Sequence, residues 1–258
     1  MDSTGWTFEV LRLGSLGFTA MAYDGRFYYF PDGRHVYVYS RGLELVNRIQ
    51  IGHEVSALCY DYADGCFWAT GHDGDICKLS QRFEVVDRIA FGDGVILGLS
   101  YFCAHDTLLV ACKDAIAEVC KHGHKRGIGC ATHSRYVNVL AVAPCFAIAK
   151  DRGGLQVIDF HGPSGAVLAS LSVPHGYRVA DMLFCHRESQ LVALAFEHGK
   201  GHGRPVILRH PMPCLDVCEC NFALPDPCVK DEHCKWIVSN ASDAAPWWGE
   251  LLSESPKL

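Results

Sequence analysis

The chain has 258 residues, 49% of them apolar and 20% charged, which is ample for a sizeable core and too apolar for extended disorder. The formal net charge of −6, with a pI near 6.1, offers no field to attract phosphate backbones, so nucleic acid is excluded as an expected partner. The opening Met1-Asp2-Ser3-Thr4-Gly5-Trp6 lacks a basic and apolar leader. The longest nearly apolar run, residues 137–149, contains Asn138 and Pro144 and is too short to span a bilayer. A cytoplasmic protein without a membrane partner is the expectation.

In chain order, Trp6, Phe8 and Val10 alternate with Thr7 and Glu9, the period of a half-buried strand. From Asp24 onward the sequence repeats itself forty positions later. Asp24/Asp64, Gly25/Gly65, Phe27/Phe67, Ser40/Ser80, Glu44/Glu84, Val46/Val86, Arg48/Arg88, Ile49/Ile89 and Gly52/Gly92 are identical pairs. Upstream, Phe18-Thr-Ala-Met-Ala-Tyr23 matches Val55-Ser-Ala-Leu-Cys-Tyr60 at a spacing shorter by three, so the second copy carries three extra residues in one turn. Fainter copies open at Leu108-Leu-Val-Ala-Cys-Lys-Asp114, Phe146-Ala-Ile-Ala-Lys-Asp151 and Leu191-Val-Ala-Leu-Ala-Phe196.

Each copy reads as four short strands, rich in β-branched and aromatic residues and separated by Gly, Asp, Pro or His turns. No segment sustains a helical apolar period. Four strands in about forty residues is the size of a propeller blade, whose faces are covered by its neighbours in a closed ring. The sequence therefore predicts an all-β, single-domain β-propeller of about six four-stranded blades, with five or seven also compatible. The expected blades are 14–52, 53–92, 93–131, 132–175 and 176–220, followed by a sixth made from 221–258 and closed by the N-terminal strand in 1–13.

The second copy, Gly52-His53-Glu-Val55-Ser-Ala-Leu58, Asp64-Gly65 and Ala69-Thr-Gly71-His-Asp73-Gly74-Asp-Ile76, resembles a WD40 repeat. In the fourth, Ile158-Asp159 stands where that family has Trp-Asp, and Pro174-His175 replaces Gly-His. Trp-Asp itself is absent, and the second copy has Lys78-Leu79-Ser80 there. The resemblance implies a rigid platform for protein partners, with functional loops on the face where the inner strands begin. Those loops carry the candidate ligand-binding residues: His53 and Glu54, Asp93, His133, Arg135 and Tyr136, and His175, Tyr177 and Arg178, with Asp181 on an inner strand facing the channel. Histidines, cations and tyrosines on a concave rim suit a polar ligand or a peptide. The recurring Asp32, Asp73, Asp114 and Asp151 read as turn formers, since Asp bonds its own backbone in tight turns.

Fourteen cysteines invite three accounts: disulfides, metal ligands, or reduced thiols used as small buried hydrophobes. Cys59, Cys66, Cys77, Cys112 and Cys145 fall in apolar runs and favour the last. Cys214, Cys218, Cys220, Cys228 and Cys234, with His233, are irregularly spaced for zinc, as are Cys120, His122, His124 and Cys130. No cofactor or metal is assigned. Nucleophile elbows, paired carboxylates and phosphate loops are missing from the sequence. The reading is a non-enzymatic module binding a protein or peptide through its loop-rich face; the alternative is a small-molecule binder or enzyme of hydrolase or lyase type at the channel mouth.

Overall fold

A computed structural model describes residues 7–10, 17–71, 73–92, 95–103, 105–112, 115–130, 135–142, 145–152, 155–161, 167–185, 190–197 and 205–211. All regular structure in these residues is β-strand, arranged as five four-stranded antiparallel sheets. The first blade is β2 (Ala22–Tyr23), β3 (Tyr28–Asp32), β4 (His35–Tyr39) and β5 (Leu45–Gln50). The second is β6 (Ala57–Asp61), β7 (Cys66–Thr70), β8 (Ile76–Leu79) and β9 (Val85–Ile89). The third is β10 (Ile96–Phe102), β11 (Thr107–Cys112), β12 (Ala115–Cys120) and β13 (Lys125–Cys130). The fourth is β14 (Arg135–Val142), β15 (Cys145–Arg152), β16 (Leu155–His161) and β17 (Val167–Ser172).

The fifth blade corrects the expected count. Its own copy supplies β18 (Tyr177–Cys185), β19 (Gln190–Glu197) and β20 (Pro205–Pro211), leaving β20 with an open edge. The N-terminal strand β1 (Thr7–Val10) pairs there, Thr7 opposite Arg209 and Val10 opposite Val206. The N-terminal strand thus completes blade five, so no sixth sheet is needed to receive it; residues 221–258, from which a sixth blade was expected, lie outside the described residues. The free edge of β20 accepts β1 because pairing satisfies a row of backbone groups that burial would otherwise penalise.

Five apolar clusters hold the ring, one at each junction between neighbouring sheets. Phe18, Tyr28, Phe30 and Tyr39 of blade one pack against Leu183, Val192, Leu194 and Ile207 of blade five, which brings the first and last blades into contact. The second strands are buried on both faces, as in Cys66–Thr70 and Thr107–Cys112, because each sheet is sandwiched between two others. The outer strands face water: every described residue of β5 is exposed or half-buried, including Leu45 and Val46.

The sequence repeat reappears as repeated backbone geometry. Between β4 and β5, Leu43 N–H donates to Ser40 O, and Ser40 Oγ accepts from Glu44 N–H. Between β8 and β9, Phe83 and Ser80 do the same, with Ser80 Oγ accepting from Glu84 N–H. Leu43 and Phe83 both take φ near +60° (58° and 62°), and a bulge follows in each ladder. The identical Ser pair is therefore turn chemistry.

Candidate functional site

The channel is walled by the inner strands β2, β6, β10, β14 and β18. In β10, β14 and β18 a bulge precedes Gly98, Asn138 and Asp181 respectively, re-aiming these positions. Asn138 Nδ2 donates to Asp181 Oδ1 at 2.5 Å and to Ala180 O at 3.1 Å. Met21 N–H donates to Asp181 Oδ2 at 2.5 Å, and Met182 N–H to Oδ1 at 2.8 Å. Gly98 lets blade three approach: a Cβ there would sit 2.5 Å from Asn138 Oδ1 and 3.1 Å from Asn138 Cα. Burial pushes the Asp181 carboxyl up to about 7, against the lowering effect of those three donors. Asp181 is thus a bridge between blades, with its oxygens engaged by protein donors.

Beyond this belt the channel holds a cavity of about 60 Å³ lined by Tyr23, Tyr60, Tyr62, Tyr101, Cys59 and Cys103 among others. That is room for a few waters, far below the several hundred Å³ typical of small-molecule sites.

A larger concavity of about 410 Å³ lies between blades four and five, lined by Asp151, Leu155, Gln156, Val173, Pro174, His175, Gly176, Tyr177 and Arg178. Three of the residues singled out in the sequence, His175, Tyr177 and Arg178, meet here. Gly176, at φ 89°, turns the chain from β17 into β18, and Tyr177 N–H donates to Pro174 O. Arg178 Nη2 lies 3.3 Å from Asp151 Oδ2 across the blade junction. Underneath, Gln156 clamps the next inner strand: its Oε1 accepts from Val179 N–H at 2.6 Å and its Nε2 donates to Val179 O at 3.5 Å. Leu155 is 55% exposed at this cavity, an apolar side chain held open to water. Asp151, Leu155 and Gln156 were not foreseen as lining; Asp151 read as a turn former, and strand alternation gave Gln156 no special mark.

The remaining candidates are spread around the ring. His53 is half-buried on blade two with Nε2 lacking a hydrogen-bond partner, and burial, reinforced by Arg88 and opposed by Asp73, lowers its pKa. Glu54 is exposed beside it. Arg135 and Tyr136 open β14, opposite Asp151 and Lys150 in the ladder. Asp93, His133 and Asp114 lie outside the described residues, as do Cys214, Cys218, Cys220, Cys228 and Cys234.

Asp61, Asp64 and Cys66 present ligand atoms within 4.8 Å of one another. The place is taken by an ammonium: Lys121 Nζ is 2.6 Å from Asp61, 3.3 Å from Asp64, and also paired with Asp106. Burial works against that charge, but Asp61 and Asp106 raise the Lys121 pKa overall. Burial and the Asp61 charge push the Cys66 thiol up to about 11, away from the thiolate a metal requires. This cluster ties blade two to blade three. Cys59, Cys66, Cys77 and Cys120 are buried free thiols; Cys112 and Cys185 are also buried. Cys120 Sγ lies 3.5 Å from His124 Nδ1, while His122 is exposed.

No known family profile matches the sequence, and no curated protein matches it. Among solved structures, a protein of unknown function from Bacteroides caccae aligns with a TM-score of 0.50 at 13% identity, covering 72% of each chain. Hydrazine synthase of Kuenenia stuttgartiensis gives a TM-score of 0.49 at 16% identity, over 70% of this chain. The chain spans 56% of that enzyme's chain. The likeness is one of fold alone. No helix among the described residues is long and apolar enough to cross a membrane.

Proposed function

We propose that this propeller is a non-enzymatic binding module that takes a protein or peptide partner in the cavity between blades four and five. The observation that carries the reading is the composition of that cavity. An exposed Leu155 and the half-buried Tyr177 provide an apolar anchor site, and Arg178, His175 and Asp151 provide polar groups around it. Aromatic and Arg residues at a concave rim are the usual anchors of protein recognition. The cavity volume also falls in the range of small-molecule sites, so a free small ligand is the second reading. Buried free thiols are consistent with a reducing, cytoplasmic setting.

The test is selection of peptides from a display library against the intact protein, followed by affinity measurement on variants. Tyr177→Ala and Arg178→Ala should each weaken the selected peptides about tenfold or more, the loss of one anchor. Val86→Ala, on the exposed outer strand of blade two, should leave affinity unchanged. Equal binding by all three variants removes the cavity from the account.

A further inference from the structure

We propose that the outer strands of blades one and two form a self-complementary surface that docks a second copy of this chain, valine against valine and glutamate against arginine. β5 and β9 hold four of the seven exposed large apolar side chains among the described residues: Leu45 is 49% exposed, Val46 54%, Val85 39% and Val86 58%. Around them the two strands are alike where packing does not require it. Glu44, Val46 and Arg48 recur as Glu84, Val86 and Arg88, and all six are exposed. The mostly buried third strands, which packing constrains more, differ at every position: His35-Val-Tyr-Val-Tyr39 stands against Asp75-Ile-Cys-Lys-Leu79. No shared local contact accounts for the likeness. Arg48 Nη2 lies 3.0 Å from His35 Nε2, whereas Arg88 Nη1 lies 3.6 Å from Asp73 Oδ2. The Glu44 and Glu84 carboxylates have no ion-pair partner among the described residues.

The backbone favours docking through side chains over addition of a strand. Val46 and Val86 are the extra residues of the bulges in their ladders, a device that re-aims a side chain and blunts an edge. Arg48 N–H donates to Asn47 Oδ1 and Arg88 N–H to Asp87 Oδ1, both at 2.8 Å. A partner that extended either sheet there would have to break these bonds; one that packs on the side chains leaves them in place.

The order of the charges selects the partner. In each strand an acid precedes the central valine by two residues and a base follows it by two. A second copy, turned about a two-fold axis that crosses the strand at the valine, sets its Arg48 against Glu44 and its Glu44 against Arg48. The same operation pairs Glu84 with Arg88 on β9. A surface that matches itself under a two-fold rotation is what an isologous dimer requires. Burial of the valines supplies attraction, and the ion pairs fix the register.

The test is sedimentation velocity of the intact protein at about 10–500 μM, because a small patch associates weakly. The wild type should show a concentration-dependent equilibrium between monomer and dimer. The double variants Glu44→Arg with Glu84→Arg, and Arg48→Glu with Arg88→Glu, should each associate at least about tenfold more weakly, since like charges then face each other. An equimolar mixture of the two variants should recover the dimer, because every facing pair is again opposite in sign. A wild type that stays monomeric throughout overturns the proposal, as does a dimer that survives both variants or a mixture that associates no better than its components. Where a charge-reversed variant does not fold, Glu44→Gln with Glu84→Gln decides: weaker association than the wild type supports the contact, and unchanged association overturns it.

Discussion

Gly98 and Asp61 show how single positions carry this fold. At Gly98 the neighbouring inner strand passes so close that a methyl group would meet Asn138 Cα at 3.1 Å, and backbone cannot step aside as a side-chain tip can. Gly98→Ala should cost about 1–3 kcal/mol in urea unfolding, the range of overpacking. Gly52→Ala, where a Cβ would meet nothing within 4 Å, should lie within about 0.5 kcal/mol of wild type. Equal losses at the two positions would mean that backbone entropy, rather than the strand approach, governs both. Asp61 is a second such point. Its fully buried carboxylate accepts from the Ala63 and Asp64 amides and from Trp68 Nε1, and it pairs with Lys121. Asp61→Ala removes all four interactions and leaves a largely buried ammonium with one carboxylate fewer. A loss of about 3–5 kcal/mol is expected, measured by the same unfolding assay.

At the scale of elements, β1 determines whether the fifth sheet has four strands or three. Deleting residues 1–13 should expose the edge of β20, where Val206, Ile207 and Leu208 now face β1 partners in the ladder. The truncated protein should unfold at lower urea and aggregate on an edge that the full chain covers; chromatographic behaviour and midpoint unchanged from wild type would show β1 to be dispensable. The N-terminal alternation Trp6–Val10 announced this strand, and the alternation fixed its type, but not its partner. Pairing depends on which edge is left open, and that is known only when the strands of the last copy are counted. The turn residues were more legible. Ser40 and Ser80 are identical in sequence because both turns need the same side-chain acceptor, each followed three residues on by a positive φ. Asp151 went the other way: a residue that looks like local turn chemistry pairs with Arg178 of the next blade, a contact set by ring geometry rather than by neighbours in sequence.

For the whole molecule, the strong repeat pair pointed to blade architecture and the faint copies to blade size, while the described residues form five blades where about six, with five or seven also compatible, were expected. Counting from the remaining length assumed that every residue after 220 belonged to the ring. The closed circuit of five apolar junctions needs no further sheet, because blade five already packs on blade one. The candidate site divides in the same manner. His175, Tyr177 and Arg178 lie close together in sequence and line one cavity, whereas Leu155 and Gln156 join them only through the stacking of blade four on blade five. Asp181 was expected to face the channel as a ligand-binding residue; in the fold it is buried, and what surrounds it comes from three other blades and is invisible in a linear reading.

The pairing of β1 with β20 has a consequence for the order of events during synthesis. Thr7 and its partner Arg209 are roughly two hundred residues apart, so at about 5–20 residues per second β1 leaves the ribosome about 10–40 s before its partner. Blades one to four are each built from consecutive hairpins and can assemble as they emerge. Throughout that interval β1 stays unpaired on the nascent chain, a hook available to any exposed β edge nearby. The ring's last fastening is also its earliest-made strand, so translation opens a window for pairing with the wrong chain.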